Sequence, residues 1–443
     1  MSTLSSAGTK SISASSVFLN TTKNNPLSIF LKKGYILFFF FLFLFGNQSL
    51  IAQSEKKDTS TKVVFPSLST STTAKKWYDK ISLRGYVQVR YNRLLETNPK
   101  LKCEQCDKSW GENGGFFLRR LRLVFSGNLG DYVYFYIQPD FASAPTSTVL
   151  NFGQIRDAYF DVSFDKKKEY RIRFGQSKVP FGFENLQSSQ NRLALDRNDA
   201  LNSAVANERD IGVSFMYAPD KIRKRFAHLV SSGLKGSGDY GVFAAGVFNG
   251  QTASKPEANN TVHSFARLTY PFELKNKQII EASIQAYQGQ FEITKNSKEV
   301  LGATSFFEKR VAGTIVYYPQ PFGFQAEYNV GTGPEYDPAS NSVLSKKLKG
   351  GYAQAMYMLK SKDGKQILIP FVKYQYYQGG KKHENDARRY IVKDLEIGAE
   401  WQPLENFELV AIYTISDRTF EDSLLKSNHQ KGNLLRLQAQ LNF

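Results

Sequence analysis

The chain has 443 residues, among them 35 Phe and 24 Tyr, with a mean hydropathy of −0.39 and a formal net charge of +18. That hydropathy excludes a bundle of membrane-spanning helices, and no linker divides the chain into the two or three domains its length would allow. A transmembrane β-barrel reconciles high aromatic content with low mean hydropathy, because each strand shows lipid only at every second residue.

The N-terminus reads as a targeting segment. Lys32 and Lys33 precede an apolar run from Tyr35 to Phe45, too short to span a bilayer as a helix, and Ala52 followed by Gln53 marks the expected cleavage point. Residues 1–52 are therefore expected to be a signal peptide. Its removal takes away Lys10, Lys23, Lys32 and Lys33 and lowers the formal charge from +18 to +14. A basic balance suits nucleic acid, anionic lipid headgroups or anionic solutes. No nucleic-acid motif occurs and the chain is exported, so nucleic acid is set aside as a partner. Residues 53–76, rich in Ser, Thr and Lys without apolar periodicity, read as a flexible periplasmic leader.

Residues 77–443 read as the barrel. Ile81, Leu83, Val87, Val89 and Tyr91 fall on one face and Ser82, Arg84, Gln88, Arg90 and Asn92 on the other. Sixteen such segments are expected, beginning near Ile81, Phe116, Tyr132, Gln154, Tyr170, Arg209, Tyr240, Thr261, Gln278, Phe306, Phe322, Gly350, Gln366, Tyr390, Asn406 and Gly432. Short links at Asn128–Asp131, Asp165–Lys168, Glu273–Lys277, Pro319–Pro321, Lys360–Lys365 and Pro403–Glu405 alternate with long ones such as Leu94–Gly115, Val179–Glu208 and Gly331–Lys349. Short periplasmic turns and long extracellular loops are the pattern of a Gram-negative outer-membrane barrel, and an even strand count leaves both termini periplasmic. Residues 219–239 break the alternation: they hold either an elaborated turn or an unrecognised strand.

The last strand alternates Leu435, Leu437, Ala439, Leu441 and Phe443 with Arg436, Gln438, Gln440 and Asn442. An amphipathic strand ending in Phe443 resembles the signal read by the outer-membrane assembly machinery. Closure against the first strand also removes an unpaired edge.

Cys103 and Cys106 are a close pair in an exported chain, and a disulfide within the first extracellular loop, outside the barrel wall, is expected, with free thiols the alternative. The four histidines, His228, His263, His383 and His429, form no metal-ligand spacing with the cysteines, and no nucleophile elbow or phosphate loop occurs. The sequence therefore reads as no enzyme and calls for no cofactor and no metal.

With the apolar set of each strand facing lipid, Arg84 and Arg90 of the first strand point inward. So do Arg120 and Arg122 of the second, Arg171 and Arg173 of the fifth, Arg267 of the eighth and Arg436 of the last. Strands sixteen, one and two are neighbours after closure, so their arginines share a wall. Inward acids, among them Asp157, Asp161, Glu281, Glu327, Glu396 and Glu400, fall largely elsewhere, which predicts a field across the lumen. The segment Val179–Glu208 is long enough to fold into the barrel and narrow it. Its Arg192 and Arg197 either meet anions there or pair with Asp196, Asp199 or barrel acids.

Gly114–Leu123 (GGFFLRRLRL), Ile155–Asp161 (IRDAYFD), Arg173–Gly182 (RFGQSKVPFG) and Asp210–Val213 (DIGV) resemble stretches of the phosphate-selective porins of the O and P type. The resemblance runs from about Arg84 to Phe443 and is densest before residue 220. It implies a sixteen-stranded homotrimeric channel in contact with outer-membrane lipid, passing small anions such as phosphate. In that family arginines line the pore and lysines help at the constriction. Arg120, Arg122, Arg171 and Arg173 lie in the matching stretches. The inward acids favour an anion-preferring channel over a strictly phosphate-specific one. A general or carbohydrate porin, or a structural or adhesive barrel, are the alternatives.

Overall fold

Strand formation follows from the period-two pattern and from cross-strand pairing of β-branched and aromatic residues on the outward face. The structure is a computed structural model that describes residues 77–103, 106, 110, 115–142 and 152–443. The expected signal peptide and leader, residues 1–76, lie outside the described residues; a short 3-10 turn at Trp77–Lys80 leads into the first strand.

Sixteen antiparallel staves close into a barrel. They are β1 (Ile81–Leu94), β2 (Phe116–Leu129), β3 (Val133–Asp140), β4 (Gln154–Ser163), β5 (Tyr170–Lys178), β6 (Arg209–Tyr217), β7 (Phe243–Phe248) and β8 (His263–Glu273). Then come β9 (Ile279–Glu292), β10 (Ser305–Tyr317), β11 (Phe322–Asp337), β12 (Ser342–Tyr357, resumed over Leu359–Lys360), β13 (Ile367–Gly380), β14 (Arg389–Leu404), β15 (Phe407–Glu421) and β16 (His429–Asn442). Each stave pairs with its neighbour in sequence, and β1 pairs with β16 from Tyr86↔Asn442 to Leu94↔Leu435. Closure leaves no free sheet edge, which is what a lipid environment requires.

Most strand starts fall within a few residues of those expected from alternation. The segment Gly331–Lys349 differs. Instead of a long loop, β11 and β12 continue their ladder from Val330↔Lys349 to Asp337↔Ser342. Gly331, Gly333 and Pro334 hid the period, yet the backbone pairing persists through them.

Residues 219–239 hold an elaborated turn. Pro219 precedes a twelve-residue helix, Asp220–Ser231, whose first turn carries Asp220 and whose last carries His228, each favourable to the helix dipole. Ile222, Phe226 and Leu229, spaced i, i+4 and i+7, form its buried face. Gly233, at φ 73°, supplies the left-handed residue that ends it.

That face joins an apolar cluster with Phe183, Leu193 and Leu195 of the segment 179–208 and with Ile369, Phe371, Val410 and Ile412 of the wall. The last four therefore face inward, against the expectation that each strand's apolar set faces lipid. A barrel whose interior is partly filled by protein needs an apolar lining there. A second cluster packs Phe181, Leu201 and Val205 of the same segment against Phe265, Tyr287 and Tyr377.

Candidate functional site

The segment between β5 and β6 contains two single-turn helices, Phe183–Leu186 and Asp199–Asn202. Asn198 caps the second, its side chain accepting from the Leu201 amide at 2.9 Å. The acids of this segment meet cations from separate parts of the wall. Glu184 pairs with Lys373 of β13, and its Oε2 accepts from Asn198 N and Nδ2 at 2.7 Å each. Asp196 pairs with Arg90 of β1 (3.3 Å) and Arg436 of β16. Asp199 pairs with Arg418 of β15 (3.0 Å) and with Lys381. Ser203 Oγ accepts from Arg310 of β10 at 2.7 Å. One segment thus touches β1, β10, β13, β15 and β16, with its apolar side chains packed into the two clusters.

The arginines of β16, β1 and β2 form one network with that segment. Arg90 donates to Gln438 Oε1 at 2.8 Å and to the Leu195 carbonyl at 2.7 Å. Arg436 bridges Asp196 and Glu396. Arg122 donates to Asp140 (2.7 Å), to the Tyr86 hydroxyl (2.8 Å) and to Ser189 Oγ (3.4 Å). Arg120 donates to Gln88 Oε1 at 2.7 Å, and Gln88 in turn donates to the Ser189 carbonyl. Arg119, extruded by a β-bulge opposite Gln88 and Val89, donates to the Cys106 carbonyl at 2.9 Å.

Two guanidinium groups in this network keep N–H groups without protein acceptors. Arg192 gives one bond, to the Leu195 carbonyl at 3.1 Å, and its Nε and Nη1 have no partner; Arg120 Nε has none either. Both side chains are buried. A buried donor without an acceptor is costly, and a charged one more so. The place is therefore suited to an external acceptor, water or an anion.

The other predicted residues are held by an acid, a carbonyl or a ring, although Arg171 and Arg267 also keep an Nε–H without an acceptor. Arg173 makes a bidentate pair with its register neighbour Asp161, at 2.7 and 3.0 Å, and lies 3.8 Å over the Tyr159 ring. Arg171 pairs with Asp239 at 2.9 Å and Arg267 with Glu281 at 3.3 Å. Arg84 is exposed near the start of β1, 5.9 Å over the Tyr136 ring. Arg197 donates to Glu208 and to the carbonyls of Glu184 and Gln187. The acids do not stand on separate walls as the strand phases suggested. Antiparallel register sets Asp161 beside Arg173, and side-chain reach joins Arg436 to Glu396, so charges alternate at close range around the wall.

Several inward cations escaped the sequence reading. Arg209 pairs with Asp157 at 2.9 Å, Arg310 with Glu308 at 2.7 Å and Lys235 with Glu400 at 2.5 Å; Lys382 also pairs with Glu308. Arg310, Arg418 and Lys373 share the inward phase of their strands, which was the available signal.

Cys103 and Cys106 are disulfide-bonded, with Cα atoms 5.3 Å apart. They pack with Leu101, Trp110 and Leu434, and Trp110 lies 5.1 Å from the Arg436 guanidinium and 5.2 Å from that of Arg418. The first loop therefore reaches the lumen arginines instead of lying clear of the barrel. Ring-face attraction for guanidinium gives the physical reason. Of the histidines, His228 lies in the helix Asp220–Ser231, His263 stacks on Phe248 at 5.2 Å, His383 packs against Phe291 at 4.9 Å and His429 opens β16. Among the described residues no group of His, Cys, Asp and Glu is arranged to hold a metal ion.

The chain matches the family described as phosphate-selective porin O and P over residues 102–443. Similar solved structures include the outer membrane channel DcaP of Acinetobacter baumannii (16% identity, 82% of this chain and 97% of that chain, TM-score 0.51). OmpF of Salmonella typhi in complex with daunomycin is 11% identical over 82% of this chain and 97% of that chain, with a TM-score of 0.53. An anion-selective porin from Comamonas acidovorans is 10% identical over 82% of this chain and 99% of that chain, with a TM-score of 0.46. At these identities the likeness to the first two is one of fold. A search of curated proteins found no match.

Proposed function

The chain belongs to the phosphate-selective porin O and P family, and from that membership we propose an outer-membrane porin whose water-filled path prefers anions and runs along the arginines of β16, β1 and β2. Family and fold are those of an outer-membrane channel rather than an enzyme. The observation that carries the choice of path is the pair Arg120 and Arg192, buried with unpaired N–H groups and, unlike Arg156, Arg171 and Arg267, in no ion pair among the described residues. Around them Arg90, Arg119, Arg122 and Arg436 stand against three carboxylates, Asp140, Asp196 and Glu396. The apolar clusters fill the lumen along β6 to β15, away from the arginines of β16, β1 and β2. The segment 179–208 narrows this path, and small anions, phosphate among them, exchange with water at the unpaired guanidinium donors. Arg84, Arg171, Arg173 and Arg267 extend the basic lining, each of the last three tempered by a partner acid.

The assembly in this reading is a homotrimer in outer-membrane lipid, with both chain ends periplasmic, residues 1–52 cleaved as a signal peptide, 53–76 a leader and Phe443 part of the signal for the assembly machinery. The test is the reversal potential of the purified protein in a planar bilayer under a salt gradient, repeated with chloride, sulfate and phosphate. An anion-selective potential is expected. A potential near zero would favour a general or carbohydrate porin, and a cation-selective one would shift attention to Glu396 and Glu400.

A further inference from the structure

Three lysines face out from the barrel and meet no acid. Lys309 of β10 and Lys347 of β12 lie in one cross-strand row, both in register with Thr332 of β11, and Lys349 lies in the next row, in register with Val330. All three are exposed. Most inward cations in this barrel have a carboxylate partner, whereas the side chain of none of these three takes part in an ion pair or hydrogen bond among the described residues. Lys346, on the opposite face of β12, shows the contrast, with Asp337 at 2.7 Å.

Their height is informative. A tilted strand crosses the hydrocarbon layer in about 9–11 residues. The outward aromatic residues Tyr317, Phe322 and Tyr357 mark the short-turn end of these staves. Lys309–Tyr317, Phe322–Thr332 and Lys347–Tyr357 are 9, 11 and 11 residues long. The lysines therefore stand where the acyl layer gives way to headgroups, at the end of the barrel away from the chain ends. Beneath Lys309 and Lys347 the wall is hollow. Ala266, Ala286, Val311 and Val330 form a row of small outward side chains that ends on Lys349, and the hollow, about 860 Å³, is bounded above by Lys309 and Lys347 and at its side by Lys349.

We infer that this hollow binds a lipid whose headgroup carries phosphate monoesters, the phosphates on Lys309, Lys347 and Lys349 and an acyl chain against Ala266, Ala286, Val311 and Val330. Cationic rim over apolar floor matches an anionic amphiphile end to end. Basic residues at a membrane surface each add to affinity for anionic headgroups, and a hollow adds acyl contact that a flat wall lacks. The site lies on the outside of the wall, so it is separate from the ion path. In the proposed orientation it faces the outer leaflet.

The test uses the full mature chain in phosphatidylcholine nanodiscs doped with bisphosphorylated lipid A, dephosphorylated lipid A as comparison, and native mass spectrometry to count retained lipid. Wild-type protein should retain the bisphosphorylated lipid. K309Q/K347Q/K349Q should retain it at least about tenfold more weakly, and dephosphorylation should abolish the difference. K360Q, at the opposite end of the barrel, should behave as wild type. Single-channel conductance of the triple variant should equal wild type, which keeps failure here distinct from failure of the porin reading. Equal retention by wild type and triple variant would overturn the inference. So would unchanged lipid retention with an altered subunit count, which would make the hollow a contact between copies.

Discussion

Gly85 and Phe443 exchange two backbone hydrogen bonds, Gly85 N to Phe443 O at 2.7 Å and Phe443 N to Gly85 O at 2.9 Å, at the seam where β1 meets β16. A Cβ at Gly85 would fall 2.7 Å from Phe443 Cζ and 2.5 Å from the Arg122 carbonyl oxygen. Gly85→Val should therefore hinder closure, and deletion of Phe443 should weaken the same seam. Unheated gel electrophoresis should show less of the compact heat-modifiable form in both. Gly313→Ala is the comparison, since a Cβ there meets nothing within 4 Å. If Gly85→Val folded as fully as Gly313→Ala, the seam would not depend on this contact.

The Lys373–Glu184 pair ties the segment 179–208 to β13. Both side chains are about 2% exposed, and Glu184 also holds Asn198. Removing one member of a buried pair typically costs about 3–5 kcal/mol, because the other charge stays behind. Glu184→Ala should loosen the segment while the barrel wall remains. Single-channel records should show higher conductance and more open-channel noise. A quiet trace at wild-type conductance would place the segment's anchoring elsewhere.

Mass spectrometry of non-reduced protein should show two hydrogens fewer than the reduced form, from the Cys103–Cys106 bond. Because Trp110 lies over Arg418 and Arg436, Trp110→Ala should alter conductance. Reduction should act in the same direction, by freeing the loop that carries Trp110. Identical currents before and after both changes would separate this loop from the ion path.

Replacing Arg120 and Arg192 together with Gln should lower anion preference without unfolding the barrel, because lumen substitutions tune selectivity while lipid-facing ones disturb folding. Charge in a narrow, poorly screened passage acts strongly, so the reversal potential should move toward zero. Arg197→Gln should do less to selectivity, since its guanidinium is committed to Glu208 and two carbonyls. Arg225→Gln is the neutral comparison: Arg225 bonds the Pro271 carbonyl and Glu273, away from the arginine wall. An unshifted potential in the Arg120/Arg192 double variant would remove these two residues from the path.

Much of the wall was legible in single strands. Gln88 and Arg90 against Val87 and Val89, or Arg171 and Arg173 against Ile172 and Phe174, show the two faces directly, because the pleat sends alternate side chains to opposite sides. The helix at Asp220–Ser231 was legible too, had the spacing of Ile222, Phe226 and Leu229 been weighed against a turn. Val410 and Ile412 break the rule that apolar residues face lipid, because an inward apolar residue carries the same local signal as a lipid-facing one. Which face is which depends on what fills the barrel.

Alternation, link lengths and the amphipathic last strand determined by themselves a closed barrel of about sixteen strands and the inward phase of its arginines. These are local properties, set by residue spacing along one strand. The pairing of those arginines was decided only by the tertiary structure. Asp196 reaches both Arg90 and Arg436, residues far from it and from each other in sequence, because closure sets β16 beside β1 and the segment 179–208 lies against both. An ion pair forms where two chains of contacts converge in space, and short-range periodicity carries no record of that convergence. For the same reason the sequence marked Arg192 as a candidate, but only the packed segment left its donors without a partner.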